Sequence, residues 1–447
     1  MEGDQAPRGP RRLIGPFDAT MLVVGSMIGS GIFIVSAESA RLVGTPGRLL
    51  AVWCVAGLLT VLAALSCAEL AVLFPSAGGP YVFFREAYGP LYGFLFGWTL
   101  ILVVQTGTIA AVAVAFSKFL GVLVPAVAGG AAKLVAMAVV VLLSATNALG
   151  LKAGTRVQNA LTVVKVAALL ALTAAGLLFV TQPAGLPTGA NPDLSAPSGL
   201  DLALAFALAL VGPAFSQSAW TNVTFPGAEV RDPGRTFPVA LVAGCLLVAG
   251  LYVVANVSYL NVLGLPGVAY ATADRVGTAS AARLLPDRGG ALMAVAILVS
   301  TFGCANGLIL SGARVIWALA ADGLFFRAAA PLNTAGVPGR ALAFQAAWTL
   351  LLVASGTYGE LLRYVVSVEF LILILLVLAV PVLRRKRPDL PRPWRTPAWP
   401  VTGSLFVGAA ATLVAFLAFG SPKTTWPGFG IVLLGVAAYR ARRWAIA

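Results

Sequence analysis

Gly25-Ser26-Met27-Ile28-Gly29-Ser30-Gly31-Ile32-Phe33 is a polar, glycine-rich interruption inside the first long apolar segment of the chain. A helix in lipid keeps its backbone groups bonded to one another, because hydrocarbon offers no other partner. Three glycines and two serines in nine residues weaken the helix where weakening is most costly. Non-helical backbone at that depth is tolerated only where it is buried in protein or lines a cavity. Its freed N–H and C=O groups are then ready ligands for a charged solute.

The surrounding chain is membrane-like throughout. Of 447 residues, 59% are hydrophobic and 10% charged, and the mean hydropathy is +0.93. Segments of about 20 apolar residues, each enough to cross the hydrocarbon core, recur along the whole length. Twelve are predicted, at 17–42, 48–74, 91–121, 132–150, 156–181, 200–227, 238–262, 289–319, 340–357, 361–383, 399–419 and 425–440. Residues 1–12 are polar and basic with no apolar core before a cleavage site, so they do not read as a signal peptide.

The net charge of +14 would suggest nucleic acid in a soluble protein. Here it reports orientation, and no nucleic-acid partner is expected. With both termini inside, nineteen Lys and Arg fall on the cytoplasmic side and nine opposite, a bias that favours this topology. Arg384-Arg385-Lys386-Arg387 carries the strongest local bias and reads as a cytoplasmic stop. Lys165 and Arg314 lie inside apolar segments.

All four cysteines, Cys54, Cys67, Cys245 and Cys304, fall in predicted spans without CxxC spacing, so they read as small packing residues. No metal or cofactor is implied. With no histidine in the chain, proton coupling has to use a carboxylate or a lysine. The stretches between spans are short, the longest at 181–199, 264–288 and 384–398, and none is long enough for a soluble catalytic domain.

A second break lies in the sixth segment, where Pro213 and Pro226 flank the polar run Phe215-Ser216-Gln217-Ser218-Ala219-Trp220. Each proline removes a donor and clashes with the preceding turn. Segments 1 and 6 hold the same place in two successive sets of five. Such paired interruptions point to a transporter built from inverted repeats. The repeats are then 17–181 and 200–383, behind a tail at 1–16, with 399–447 appended. Small residues also serve close helix packing in membranes, but two matched breaks argue against packing alone.

In a broken helix, the second half begins with unsatisfied N–H groups at a positive dipole end, which suits an anion. The expected donors are the amides near Ser30, Gly31 and Ile32, with the Ser30 hydroxyl. The first half ends in carbonyls that suit a cation; the candidates are those of Met27, Phe215 and Ser218. A carboxylate site beside an ammonium site describes an α-amino acid.

At these residues the sequence resembles the amino acid–polyamine–organocation (APC) superfamily over nearly its whole length. Residues 25–33 match the motif G-x-x-I-G-S-G-I-F. Ala68-Glu69-Leu70 with Phe74-Pro75-Ser76-Ala77-Gly78-Gly79-Pro80-Tyr81 is similar to the end of helix 2 and the following loop. Residues 215–220 through Glu229, Pro233, Arg235 and Pro238 resemble helix 6 of the L-type amino acid transporter (LAT) branch. Ser300-Thr301-Phe302-Gly303 and Ser311-Gly312-Ala313-Arg314 resemble its helix 8.

The resemblance implies an all-α integral membrane protein with twelve transmembrane helices. Its fold would be a LeuT-type 5+5 inverted repeat with helices 1 and 6 broken, plus two C-terminal helices. It implies a substrate site from Met27, Ile28, Gly29, Ser30 and Gly31 on one side. Phe215 as an aromatic lid, Ser218, and Trp220 on the inner wall form the other. Lys165 is implied to stand in for a second sodium ion, bridging helix 5 to the broken helix 1; an ionisable residue at that depth is functional by default. It could also carry a proton.

Departures from the family pattern narrow the expectation. Ser218 stands where the LAT branch usually has glycine, which favours a small side chain. The 121–132 loop lacks the cysteine of a disulfide-linked heavy subunit, so none is expected. Gln105, where heteromeric members tend to differ, is a candidate side-chain contact. Glu369 in segment 10 is read in three ways: paired with Arg363 or another polar group, a proton site, or a contact to a basic substrate. Glu69 and Arg85 are assigned to a cytoplasmic gate network.

The expected function is sodium-independent transport of small neutral L-amino acids by alternating access in a bacterial inner membrane, by exchange or with H+. A cationic amino acid or polyamine antiporter and an amino-acid-binding membrane sensor are the alternatives. Nothing in the sequence supports an enzyme.

Overall fold

The computed structural model of the protein describes residues 12, 14–76, 78–127, 129–149, 155–180, 197–321, 323, 325, 327–333 and 337–446. Outside the described residues lie most of the N-terminal tail, Ala77 of the loop motif, Lys152 and most of the 181–199 connection. The described residues are helical, with one isolated parallel bridge between Ile14 and Val230.

The first apolar segment is not one helix. Helix α1 (Pro16–Met27) stops, a single 3-10 turn follows at Gly31–Phe33, and α2 (Ser36–Val43) completes the crossing. Gly44 closes α2 in the left-handed region at φ 70°, the conformation a glycine adopts without Cβ strain. Thr45 and Pro46 then start α3 (Pro46–Leu73), with proline at the first turn where its missing N–H has no cost. Residues 80–88, expected as loop, form α4 (Pro80–Tyr88), again started by proline.

The third segment is α5 (Pro90–Thr99), a π-helical stretch Leu100–Gln105, and α6 (Thr106–Leu123). The wide turn diverts the Leu102 carbonyl, which accepts from Trp348 Nε1 at 2.7 Å and Tyr364 OH at 3.0 Å. Then come α7 (Ala131–Ala148) and α8 (Thr155–Leu178). The sixth segment is α9 (Gly199–Ser216), a break, and the 3-10 turn Trp220–Thr224. Ala219 stands in the break at φ 67°, an arrangement costing a non-glycine residue about 1–2 kcal/mol.

After α10 (Pro233–Pro238), a π-helical turn leads into α11 (Gly244–Ala269). The 264–288 stretch, expected as a connection, contains α12 (Val276–Leu284), which packs on α13 (Gly289–Ala321). Helices α14 (Gly339–Ser355), α15 (Tyr358–Lys386), α16 (Val401–Gly420) and α17 (Pro422–Ile446) follow. Thr357 and Glu360 cap α15 reciprocally. Eight described helical stretches have the length and hydropathy to cross a membrane, and shorter apolar helices add to them. The chain is a multi-pass membrane protein.

Charges gather at the two ends of the helix bundle. At one, Arg41 pairs with Asp274 at 2.8 Å, Lys118 approaches Asp274 at 3.8 Å, and Arg363 pairs with Glu38 at 2.9 Å. At the other, Glu69 at the end of α3 accepts from Arg384 Nε and Nη2 of α15 at 2.9 and 2.8 Å, and from Thr396 N and Oγ1 at 2.7 and 2.8 Å. Arg85, assigned with Glu69 from sequence, contacts Glu86 and the Tyr81 ring at this end instead.

Glu69 is 1% exposed. Arg384→Ala is therefore expected to destabilise the protein by about 2 kcal/mol, because it removes the two-pronged cation from a buried carboxylate and leaves only the Thr396 donors and Arg392, 3.9 Å away. Arg384→Lys should cost less. The check is the thermal midpoint in detergent, followed by size-exclusion chromatography; equal midpoints for wild type and Arg384→Ala would mean the pair contributes nothing.

Candidate substrate-binding site

The two interruptions meet. A Cβ added to Gly31 would lie 2.0 Å from Ser216 Oγ and 2.7 Å from Ser216 Cβ, so glycine alone permits this approach. Beside the contact is a small, partly open space. It is lined by both breaks together with Thr108 and Val112 of α6 and Cys304 and Leu308 of α13. As it stands it has room for about one water molecule, so an amino acid is admitted only as the breaks move apart.

One side of this space is electropositive. Among the described residues, the amides of Ser30, Gly31 and Ile32 donate to no carbonyl, while Phe33 N bonds Ser30 O at 3.1 Å and restarts the helix. These three N–H groups lie at the single 3-10 turn that precedes α2, and unbonded backbone donors so placed suit an anion. The Ser30 side chain is 1% exposed, and its hydroxyl lies beside that of Tyr358; neither oxygen completes a hydrogen bond.

The opposite end supplies carbonyls, but not the ones expected. Met27 O already accepts from Tyr252 OH at 3.1 Å and from Gly29 N at 2.9 Å, so both its lone pairs are in use. Phe215 O accepts from Ser218 N at 3.1 Å. Among the described lining residues, the carbonyls of Ser26, Gly29, Ser216 and Ser218 accept no hydrogen bond; Ser26 and Ser218 are the open ones nearest the expected positions in the two breaks. The Met27 carbonyl is thus already engaged, while that of neighbouring Ser26 is open; the bond from Tyr252, 225 residues away, leaves no local sequence signal.

Of the residues singled out from sequence, Met27, Gly29, Ser30, Gly31, Phe215 and Ser218 line the space. Ile28 is fully buried but turned away from it. Trp220 lines a neighbouring cavity rather than this one. Gln105 is spent on α13, donating to Leu308 O at 2.7 Å and Ser311 Oγ at 3.2 Å, and does not reach the space. Arg363 is taken by Glu38, so the expected Glu369–Arg363 pair is not made.

Lys165 is 3% exposed, and its Nζ donates to Gly25 O at 2.5 Å. That carbonyl belongs to the last turn of α1, whose negative dipole end favours a cation. Helices α1 and α8 touch closely there: a Cβ on Gly25 would be 2.5 Å from Thr162 Oγ1. The sequence reading missed Ser26, Thr108, Val112, Ser216, Ala219, Cys304 and Leu308. For Cys304 the signal was its place one residue past the helix 8 motif; Val112 and Leu308 carry none in a wholly apolar helix.

An amino acid permease family model matches residues 14–439. The human "Large neutral amino acids transporter small subunit 2" is 30% identical over 437 residues, covering 96% of this chain and 80% of the relative. The "Serine/threonine exchanger SteT" of Bacillus subtilis is 28% identical over 408 residues, covering 89% and 91%. The mouse "b(0,+)-type amino acid transporter 1" is 28% identical over 429 residues, covering 93% and 83%.

Proposed function

Because the chain belongs to the amino acid permease family of the APC superfamily, and so to a family of amino acid transporters, we propose that it is a sodium-independent secondary transporter of small neutral L-amino acids, working by exchange or with a proton. The observation that carries this reading is the row of unbonded amides at Ser30, Gly31 and Ile32 beside a space that Ser30 and Gly31 line together with Ser26 and Ser218, whose carbonyls are open. Charged ends of opposite sign are fixed by opposed backbone groups, while the side chain meets the apolar surfaces of Val112, Phe215 and Leu308.

The architecture that goes with this reading is twelve crossings in two inverted sets, 17–181 and 200–383, with 399–447 appended. Both termini face the cytoplasm of a bacterial inner membrane, following the excess of Lys and Arg there. The human relative is by its name a small subunit; this chain has no cysteine in its 121–132 loop, which favours action without a disulfide-linked partner.

The test is uptake of radiolabelled alanine into proteoliposomes, with and without internal alanine, sodium and a pH gradient. Absence of specific accumulation under every condition would leave a binding sensor as the better reading. Ser218→Gly is expected to open the wall of the space and to raise uptake of leucine relative to alanine by about threefold or more, the equivalent of burying roughly one extra methylene. An unchanged leucine-to-alanine ratio would remove position 218 from size selection.

A cationic substrate is the second reading, favoured by Glu369 standing in the cavity that adjoins Ser218. Competition of alanine uptake by arginine or putrescine separates the two.

A further inference from the structure

A second small, partly open space lies on the far side of the α9 break. Ser218 lines both spaces and is the wall between them. The polar groups around the second are Thr60 of α3, Gln217, Ser218 and the Trp220 indole of the break, and Glu369 of α15. The rest of the lining, from α3, α9, α15 and α16, is apolar, and none of it is charged or titratable apart from Glu369.

Two groups here are unspent. Glu369 makes no hydrogen bond or ion pair among the described residues, and the charges that could reach it are engaged elsewhere. Arg363 is on Glu38, Arg384 on Glu69, and Lys165 on Gly25. Gln217 is 0% exposed, and among the described residues neither its Oε1 nor its Nε2 has a partner. A carboxylate with no countercharge in such surroundings either holds a proton or meets a cation.

The neighbouring amide favours the proton. A carboxamide offers donors and an acceptor. A carboxylate only accepts, so it would leave Gln217 Oε1 orphaned. A carboxylic acid donates through its O–H and accepts through its C=O, which satisfies both ends of the Gln217 amide and both ends of its own group. We infer that Glu369 and Gln217 form a proton-binding site through which net amino acid uptake is coupled to proton entry.

Gln217 connects the two spaces. It lies between Phe215 and Ser218, which line the substrate space, and its own N–H bonds the carbonyls of Pro213 and Ala214 at 3.2 Å. Proton binding at Glu369 engages the Gln217 side chain and fixes one arrangement of the break. Substrate binding at the Ser218 carbonyl selects among the same arrangements. Each ligand then raises the affinity for the other by the same factor. The proton is taken from one side of the membrane and released on the other, with no covalent step. The inference rests on the transport reading, and its test separates the two.

The test uses the full-length protein in sodium-free proteoliposomes carrying a trapped pH-sensitive dye, with radiolabelled alanine as probe. Counterflow into alanine-loaded vesicles and pH-gradient-driven uptake into empty ones are measured side by side. For wild type, alanine added to empty vesicles is expected to acidify the lumen as label enters. In Glu369→Gln, the ratio of gradient-driven uptake to counterflow should fall by about tenfold or more. Gln217→Leu, which keeps the carboxyl, should lower the same ratio.

Net alanine uptake into empty vesicles without lumenal acidification, or no gradient-driven net uptake at all while counterflow is intact, would overturn the proton site and leave the transport reading standing. So would a wild-type ratio in Glu369→Gln. Arginine uptake by the wild type that Glu369→Gln removes would make Glu369 a substrate contact and also overturn it. No counterflow with any amino acid would remove the transport reading, and this inference with it.

Discussion

Gly31→Ala is expected to reduce alanine counterflow by about a hundredfold, the scale of loss when reacting or binding groups are displaced by an ångström. The added methyl would sit 2.0 Å from Ser216 Oγ, 2.7 Å from Ser216 Cβ and 3.1 Å from Ser216 Cα. Real Cβ atoms do not approach this closely, so the two breaks must part. Parting them moves the amides of Gly31 and Ile32 away from the carbonyl of Ser218, which stands two residues beyond Ser216. The distance between the two poles of the site is then wrong for an α-amino acid.

The double variant Gly31→Ala/Ser216→Gly removes the hydroxyl and the Cβ and leaves only the 3.1 Å approach to the backbone. Counterflow should recover to well above the Gly31→Ala level, as residues in direct contact couple strongly. Ser216→Gly alone loses only its bond to Gly212 O at 2.8 Å and should transport nearly as wild type. A double variant no better than Gly31→Ala would show that the glycine serves something other than this contact. Gly29 is the internal control: a Cβ there meets only Cys304 Sγ at 3.9 Å, so Gly29→Ala should perturb the backbone far less.

Lys165→Ala should lower counterflow by about tenfold or more while leaving a folded protein, because a cation at a helix C-terminus in a buried setting contributes up to about 2 kcal/mol. The ammonium holds Gly25 O in the last turn of α1, two residues before the chain leaves the helix at Met27. Without it, that carbonyl loses its partner and α1 loses its tie to α8 at the point where the substrate space begins. The fold survives, because the same change also removes the desolvation cost of a charge that is 3% exposed. Lys165→Met, which keeps the stem and discards the charge, should behave like Lys165→Ala. Transport at the wild-type rate in either variant would take the lysine out of the mechanism; loss of the monodisperse peak would make it a folding residue.

The sequence by itself determined the helical membrane character, the two interruptions and the residue types at them. These are local properties. Apolar length fixes a crossing, and glycine, serine and proline in a run weaken a helix wherever they stand. The Gly25 to Phe33 motif therefore located one half of the candidate site, and the Pro213 to Pro226 run located the other. Lys165 was legible because a charge in an apolar helix is conspicuous without knowing its neighbours.

What the sequence left open depends on which groups are already bonded, and only the tertiary structure decides that. The Met27 carbonyl seemed as free as that of Ser26 until Tyr252 of α11 reached it. Gln105 and Glu369 read alike, as polar groups in apolar segments. Packing engages Gln105 with Leu308 and Ser311 and leaves Glu369 and Gln217 unbonded. Arg363 was a plausible mate for Glu369 six residues away, but Glu38 at the far end of the first crossing takes it. A carbonyl's lone pairs, an amide's two ends and a guanidinium's fork are each used once. Which partner uses them is set by contacts between residues hundreds of positions apart, and no local pattern in the chain records those contacts.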